Sequence, residues 1–568
     1  MQLIYKNKFI PWLLCFLLFA QGVGLYHITA VFAGNASTSA GVNNKAPYFT
    51  TGPADDSGSS TPINVGSNVT FTATAGDKNS DHYYLAVCQT STAPTPGANA
   101  APTCNGGTFC VTSTDVAAGT STSCTYPVAS GDAPSKAWYA FVCDKLATGA
   151  LCSSYSQGSG EPGVSPFYVN TIPTFTAFAD DAGSGKDPGS KITWTSTASD
   201  ADGDQVTLYV CKTASFNGST CAGGEWCHSS ASASNPTCDK TLDSVMQDKN
   251  WEAYGYIVDS RGTQASVGGG SKQGTDSVLT VNNVAPTISA STIALVDTDG
   301  ADDLVLKTSG AETTGFKVTF TVTDKNSCLN ASSGNEIASA LINVRRSGIA
   351  KGSCAASGDY NANNCYPDAD ASWNPSCTQT GTCGGSSDDT IEWTCTFPLQ
   401  YHADPTDLGT YASENWVADV TATDDNSAST GSVTATTGNE LDQFADYTLD
   451  KTTINYGAMD PGAASADQTI AMSATGNVGL DENLSGGALT SGSDTIAVGQ
   501  QKYKATSGGG WTGTALTGVA TRFELNVPKT TITGTPESKT TYWVLQVPDP
   551  QPVGTYSGTN TIEGVTGN

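Results

Sequence analysis

The chain has 568 residues, with 53 Asp or Glu against 25 Lys or Arg, and a net charge of −28 at pH 7. Charge of that sign and size repels nucleic acid and anionic membrane surfaces, which excludes both as electrostatic partners. Only 14% of residues are charged, and the abundance of Thr, Ser, Gly, Ala and Asn suits β-sheet and turns better than long helices.

The N-terminus reads as a targeting segment. Lys6 and Lys8 precede the apolar stretch from Phe9 to Ala20, and Val31-Phe32-Ala33 offers small-residue cleavage, so 1–33 is expected to be a secretory signal. The apolar run is shorter than the ~20 residues of a spanning helix, and Gln21 and His27 follow it. No later segment is apolar enough to span a bilayer, so no membrane span is expected after cleavage. The expected location is secreted, extracellular or at the cell surface. Residues 34–45 form a linker, and the remaining length suits three to five domains.

Four phrases then recur in a fixed order, which marks a repeat. An Asn–Pro boundary comes first: NNKAP (Asn43 to Pro47), NTIP (Asn170 to Pro173) and NNVAP (Asn282 to Pro286). An Ala-Asp-Asp follows at Ala54-Asp55-Asp56, Ala179-Asp180-Asp181 and Ala301-Asp302-Asp303. Next is an alternating strand, NVTFTATA from Asn68, KITWTSTA from Lys191 and KVTFTVT from Lys317. Period-2 alternation predicts one buried and one solvated face. Each copy ends on an aromatic strand closing in Asp: WYAFVCD at Asp144, WEAYGYIVD at Asp259 and WVADVTATD at Asp424. Residues 447–568 have no cysteine but carry comparable strands, such as TRFELNVP and TYWVLQVP.

Short strands between Gly/Asn/Asp turns predict an all-β chain of tandem immunoglobulin-like antiparallel β-sandwiches, braced by disulfides. The expected units are 46–170, 171–283, 284–445 with a long insertion, and a C-terminal β-sandwich over 446–568. The D-x-D-G-D phrase before an apolar strand, the late strand ending in Asp and the x-Pro boundary resemble bacterial cadherin-like and other immunoglobulin-like domains. Such domains are strung together in secreted and S-layer-type surface proteins. The last segment is similar to β-sandwich domains that close many secreted bacterial proteins.

Of 17 cysteines, Cys15 falls in the signal. The others cluster as six (Cys88 to Cys152), four (Cys211 to Cys238) and six (Cys328 to Cys395). Even clusters in an exported chain predict disulfides; thiolate metal sites usually bring CxxC pairs, which are absent. Copies one and two share a frame, Cys88, Cys104, Cys110, Cys124 and Cys211, Cys221, Cys227, Cys238. Cys365, Cys377, Cys383 and Cys395 keep only its middle gap. Four cysteines allow three pairings, and neighbour pairing is favoured because it closes loops between adjacent strands. Copy two has Val258 where Cys143 stands and nothing matching Cys152. Two thiols missing together are one missing bridge, so Cys143–Cys152 is expected, and the same reasoning pairs Cys328 with Cys354.

The stretch SDADGDQVTLYVC, Ser199 to Cys211, puts Asp200, Asp202 and Asp204 at alternate positions, with Gly203 permitting the bend. GDKNSDHYYLAVC matches it with Asp77, Asn79 and Asp81, whereas the third copy keeps only Asp324 and Asn326. Alternate Asp/Asn oxygens on a tight loop can converge on calcium, which takes six to eight oxygens. Asp144 and Asp259 end strands that would face the same end. The resemblance implies that the Ala-Asp-Asp pairs contribute at domain junctions. The same residues also suit plain turns, and no bidentate Glu closes the triplet as in an EF-hand.

Nothing points to catalysis. His82, His228 and His402 stand alone, there is no H-E-x-x-H or G-x-S-x-G, and the G-x-G-x-x-G match at Gly508 to Gly513 lies in a Ser/Gly loop. Trp194, Trp251, Trp393, Trp416 and Trp543 fit strand cores, while Trp226, Trp373 and Trp511 fall in predicted loops as candidates for touching a partner. The expectation is a structural or adhesive surface protein, a rod of rigid modules joined by short x-Pro junctions. Its partners would be its own copies, other surface proteins or glycans. A glycan-binding adhesin is the first alternative, and a hydrolase with an Asp-lined face the second. Sequons at Asn35, Asn68, Asn217, Asn330 and Asn483 do not show whether sugar is attached.

Overall fold

The computed structural model describes residues 38–158, 163–297, 304–306, 316–332, 334–531 and 535–567. The signal segment, the Asn35 sequon and Ala301-Asp302-Asp303 lie outside them. The described residues fall into two units, up to Val169 and from Asn170 onward. The fold is all-β, in tandem immunoglobulin-like sandwiches, and the principal strands are numbered here in chain order.

In the first unit, β1 (Tyr48–Asp55), β2 (Asn68–Gly76) and β5 (Ser121–Pro127) form one sheet in the order β1-β2-β5. The facing sheet runs β6-β3-β4, from β3 (Tyr83–Cys88), β4 (Thr108–Val111) and β6 (Tyr139–Asp144). Alternation in β2 works as predicted: Val69, Phe71, Ala73 and Ala75 are buried while Asn68 and Thr72 are exposed. Strand β3 is buried along its whole length, as a central strand covered on both faces must be.

The second sandwich repeats this plan. β7 (Thr174–Asp180), β8 (Lys191–Ser199) and β11 (Thr237–Thr241) pack as β7-β8-β11. β9 (Val206–Cys211), β10 (Glu225–His228), β12 (Tyr254–Asp259) and β13 (Thr275–Asp276) pack as β10-β9-β12-β13. First, second and fifth strands in one sheet, with third, fourth, sixth and seventh in the other, is an immunoglobulin-like order. The third sandwich adds a strand to the first sheet. β14 (Thr287–Ile288), β16 (Phe316–Thr323), β20 (Thr390–Phe397) and β19 (Ser376–Gln379) run β14-β16-β20-β19, with β15 (Ala294–Asp297) also on β16. Its partner sheet is β18-β17-β21-β22, from β17 (Ile337–Arg346), β18 (Cys365–Tyr366), β21 (Trp416–Asp424) and β22 (Val433–Thr434).

The last segment is a sandwich without sulfur. β23 (Tyr447–Leu449), β24 (Gln468–Ala474), β26 (Gln501–Lys504), β27 (Thr514–Ala515) and β29 (Ser538–Leu545) order as β23-β24-β29-β26-β27. β25 (Leu480–Gly486), β28 (Thr521–Val527) and β30 (Asn560–Thr566) order as β28-β25-β30. Among the described residues no helix is long and apolar enough to cross a membrane.

Eight disulfides brace the first three sandwiches. Cys88–Cys104 and Cys211–Cys221 anchor loops to the ends of β3 and β9. Cys110–Cys124 ties β4 to β5, and Cys227–Cys238 ties β10 to β11, so each joins the two sheets of its sandwich. Cys143–Cys152 clasps β6 to the segment beside it, with the Cα atoms 4.0 Å apart.

The third sandwich departs from expectation: Cys328 pairs with Cys383, not Cys354, which pairs with Cys365. The reason is the extra strand. Cys377 lies opposite Cys395 on β19 and β20 and is bonded to it. The turn that leaves β19 then comes back under the loop after β16, where the Cys328 amide donates to the Asp388 carbonyl at 2.7 Å. That turn puts Cys383 within reach, at a Cα separation of 5.8 Å.

Trp226 and Trp373 also depart from expectation, since both are buried. Trp226 sits on β10 rather than in a loop, against Trp194, with its indole N–H donating to the Glu252 carbonyl at 2.9 Å. Trp373 packs on Tyr366 and Phe397 and donates to the Pro367 carbonyl. Both indoles are sandwich core. Trp226→Ala should therefore destabilise the protein by ~3–5 kcal/mol through the cavity it leaves, read as a lower denaturant midpoint for the second sandwich.

The last sandwich buries a carboxyl. Glu482 on β25 is wholly buried and accepts from the Thr541 hydroxyl at 2.6 Å. Burial, with a smaller push from Asp481, raises its pKa from 4.5 to about 7. Asp481 itself is ion-paired with Arg522 at 2.7 Å. Between pH 4.5 and about 7 the folded state keeps a proton that the unfolded chain releases. The contribution of Glu482 to stability should thus be complete below pH 4.5 and be lost, by ~3 kcal/mol in all, as pH rises through that window. Thermal melts of Glu482→Gln should lose that slope.

Candidate metal centre

The acidic loops sit where β2, β8 and β16 end and the partner sheet begins. In each, the first Asp caps its own turn: one Asp77 carboxylate oxygen accepts from the Asn79 amide at 2.6 Å, Asp200 from the Asp202 amide at 2.8 Å, and Asp324 from the Asn326 amide at 2.8 Å. Gly203 has φ +82°, the left-handed geometry that glycine adopts without strain. The other oxygen of each of these three Asp residues is buried and has no donor.

A boundary asparagine joins each loop. Asn44 donates its amide to Asp144 at 2.6 Å, Asn170 to Asp259 at 2.9 Å and Asn283 to Asp424 at 3.0 Å. In all three the asparagine carbonyl oxygen is buried without a donor. The residue after each asparagine meets the loop, the Lys45, Thr171 and Val284 amides donating to Asn79, Asp202 and Asn326, so the boundary segment links the late-strand Asp to the loop. One buried carboxylate oxygen and one buried amide oxygen, both unpaired, recur at the same place in three sandwiches. Unpaired buried oxygens are costly, and oxygen-only donors without His or Cys suit calcium or magnesium. On these donors the residues fit calcium.

The copies differ in how close they bring their carboxylates. Asp77, Asp81 and Asp144 place ligand oxygens within 4.8 Å of one another, and so do Asp200, Asp202 and Asp204. Asn79 stands apart from the first group, its side-chain oxygen accepting from the Lys45 amide at 2.9 Å. Asp204 is taken up by the Arg261 guanidinium at 2.7 Å, and Asp259 accepts from the Arg261 and Thr263 amides. Burial, then the nearby charges of Asp77 and Asp144, raises the Asp81 pKa; burial, then Asp202 and Asp259, raises that of Asp200.

The Ala-Asp-Asp pairs play another role in the two described copies. Asp55 is held by Ser57 and by the Trp138 indole at 2.8 Å, Asp56 caps the Thr70 amide, and Asp180 and Asp181 cap the Ala182 and Thr193 amides. They lock the edge of the first sheet.

The third copy carries an acid outside the motif, Glu336, which directly precedes β17 where His82 precedes β3 and Gln205 precedes β9. An insertion carrying Cys328 separates it from Asp324 and Asn326, so pattern matching passes over it. Burial, reinforced by Asp248, Asp425 and Asp324, pushes the Glu336 pKa up to about 9. Burial and the charges of Asp424, Asp248 and Asp425 push Asp324 to about 7. The Cys328, Cys383 and Asp388 group offers no metal site, because its sulfurs are bonded to each other. At Gly508, the loop amide already donates to the Asp467 carboxylate at 2.6 Å.

No family model matches the chain, and no curated protein matches it. Among solved structures it is similar to a marsupial T cell receptor, with a TM-score of 0.24 at 10% identity over 65% of this chain and 95% of that one. It is also similar to a protein of Corynebacterium diphtheriae described as membrane anchored, with a TM-score of 0.14 at 8% identity over 68% and 91%. The sandwich assignment rests on strand order, to which these low scores add nothing.

Proposed function

We propose that the chain is an exported structural protein of a bacterial cell surface. Its immunoglobulin-like modules are braced by disulfides and loaded with calcium, and they assemble with copies of the chain or with other surface proteins. The observation that carries this reading is repetition. One arrangement, an Asn amide oxygen and two Asp carboxylates at the same end of a sandwich, occurs three times, where catalysis would concentrate its groups once. Eight disulfides fit an oxidising compartment outside the cytoplasm.

Calcium at each end would neutralise the crowded carboxylates and fix the loop that leads from one sheet to the next. An antibody against the mature chain should label the surface of intact cells; label confined to the cytoplasm overturns the reading. The dialysed protein should bind calcium and rise in melting temperature as calcium is added, since a ligand present at a hundred times its Kd stabilises by ~2.7 kcal/mol. Asp200→Asn should remove one bound calcium and part of that rise.

An adhesin is the second reading, favoured by a cleft of about 1210 Å³ in the last sandwich. Leu449, Ile454, Tyr456, Tyr556 and Ile562 line it, a mixture suited to an aromatic or glycan ligand.

A further inference from the structure

The third acidic end holds more carboxylate than the repeat requires. Asp248, Glu336 and Asp425 place ligand oxygens within 4.8 Å of one another. None of the three belongs to the repeated motif. Asp248 comes from the loop between β11 and β12 of the second sandwich, Glu336 from the start of β17, and Asp425 from the residue after β21. Where the first two copies carry Lys145 and Ser260 after the late-strand Asp, the third carries another acid.

Glu336 has no exposed surface, and neither of its oxygens has a donor. Nearby Asp324 leaves one buried oxygen in the same condition. Asp248 and Asp425 receive one amide each, from Asn426 and Asn330. Among the described residues no Lys or Arg ion-pairs with Asp248, Asp324, Glu336, Asp424 or Asp425. The first two copies are unlike this: Arg261 pairs with Asp204, and Lys145 pairs with Asp115 nearby. Carboxylates this close and this dry require a counter-charge. Oxygens on opposite sides of a calcium ion are separated by roughly 4.6–5.2 Å, twice its usual bond length, so the spacing of this group suits one ion.

We propose that Asp248, Glu336 and Asp425 bind a divalent hard cation of the calcium type, which ties the second sandwich to the third. The site is separate from the repeated one formed by Asn283, Asp324 and Asp424, and it does not depend on that site being filled. It lies at a junction already made by direct hydrogen bonds. The Met246 amide donates to the Lys325 carbonyl at 2.9 Å, Gln247 donates to the Leu329 carbonyl at 2.9 Å, and Asn326 donates to the Met246 and Asn282 carbonyls at 3.2 and 2.9 Å. The loop at 242–249 is thereby laid over the third sandwich, and of its two acids, Asp243 and Asp248, it is Asp248 that comes beside Glu336. A cation there would close the junction, and its removal would leave like charges across it.

The test uses the mature full-length protein, dialysed against calcium and analysed for bound metal, with limited proteolysis of the 242–249 segment as a second readout. Glu336→Gln and Asp248→Asn should each bind one calcium fewer than wild type, and neither loss should add to the other. Asp200→Asn should lose a different ion, so that Asp200→Asn with Asp248→Asn loses two. Calcium should slow cleavage in the 242–249 segment of wild type several-fold and leave Asp248→Asn unprotected. Wild-type calcium content in either single variant would overturn the proposal, as would cleavage of wild type that calcium does not slow. A Glu336–Asp425 pair that shares a proton and takes up no calcium would overturn it too. The repeated sites stand or fall separately, on Asp200→Asn alone.

Discussion

In the first three sandwiches the long loops that follow the central strands are polar and poorly buried, and covalent sulfur holds them in place. The insertions after β3 and β9 are Ser, Thr, Gly and Asn with few apolar side chains, so packing contributes little to their order. A bridge closing ~10–15 residues contributes about 3 kcal/mol by restricting the unfolded chain, comparable to a fully buried large side chain. Cys110–Cys124 and Cys227–Cys238 do more than tether, because they cross between sheets and fix the face-to-face packing of Phe71 and Trp194 with the opposite layer. The last sandwich has no bridge and holds together on packed side chains such as Met472, Leu480, Tyr503 and Trp543.

The sandwich ends carry the opposite kind of constraint. Two carboxylates 4.8 Å apart repel by on the order of 3 kcal/mol at an effective dielectric near 20, and among the described residues three groups bring Asp and Glu oxygens that close. An arginine, a proton or a cation can relieve them. The second copy uses Arg261 in part. The first copy's lysine, Lys145, is committed to Asp115. The third copy has neither, and its buried oxygens remain without donors. At the position after the late-strand Asp, Lys145 and Ser260 stand where the third copy adds Asp425 to the acids already there.

Much of this was legible from the amino-acid order. Alternation in NVTFTATA, KITWTSTA and KVTFTVT placed the buried faces of β2, β8 and β16 because a half-buried strand leaves a period-2 signature that tertiary contacts do not alter. The paired absence of Cys143 and Cys152 from copy two marked a bridge, since two thiols are lost together when their bond is lost. The same logic failed for Cys328, because spacing says nothing about strand β19, and that strand decides which cysteine the loop meets. Trp226 and Trp373 misled for a related reason. Each lies in a polar, Gly-rich or Ser-rich stretch, yet one short strand or one tight turn is enough to point an indole inward. The boundary asparagines and Glu336 were hidden more deeply. An Asn before Pro reads as a turn residue, and only the folded chain shows its amide bridging to an Asp about 90 to 140 residues away.

Two classes of restraint therefore act on different parts of the same modules. Disulfides hold loops and sheets, and they stay closed wherever the surroundings are oxidising, whatever the ion content or pH. The acidic ends lie at the turns between sheets and, at Asp248, beside the hydrogen-bonded contact between the second and third sandwiches, and their mutual repulsion depends on what neutralises them. In the first three sandwiches sulfur fixes the interior whatever the ion content or pH, whereas the unpaired carboxylate oxygens leave the ends dependent on a counter-charge. If calcium fills these ends as proposed, its removal would loosen the junction while every sandwich stays folded.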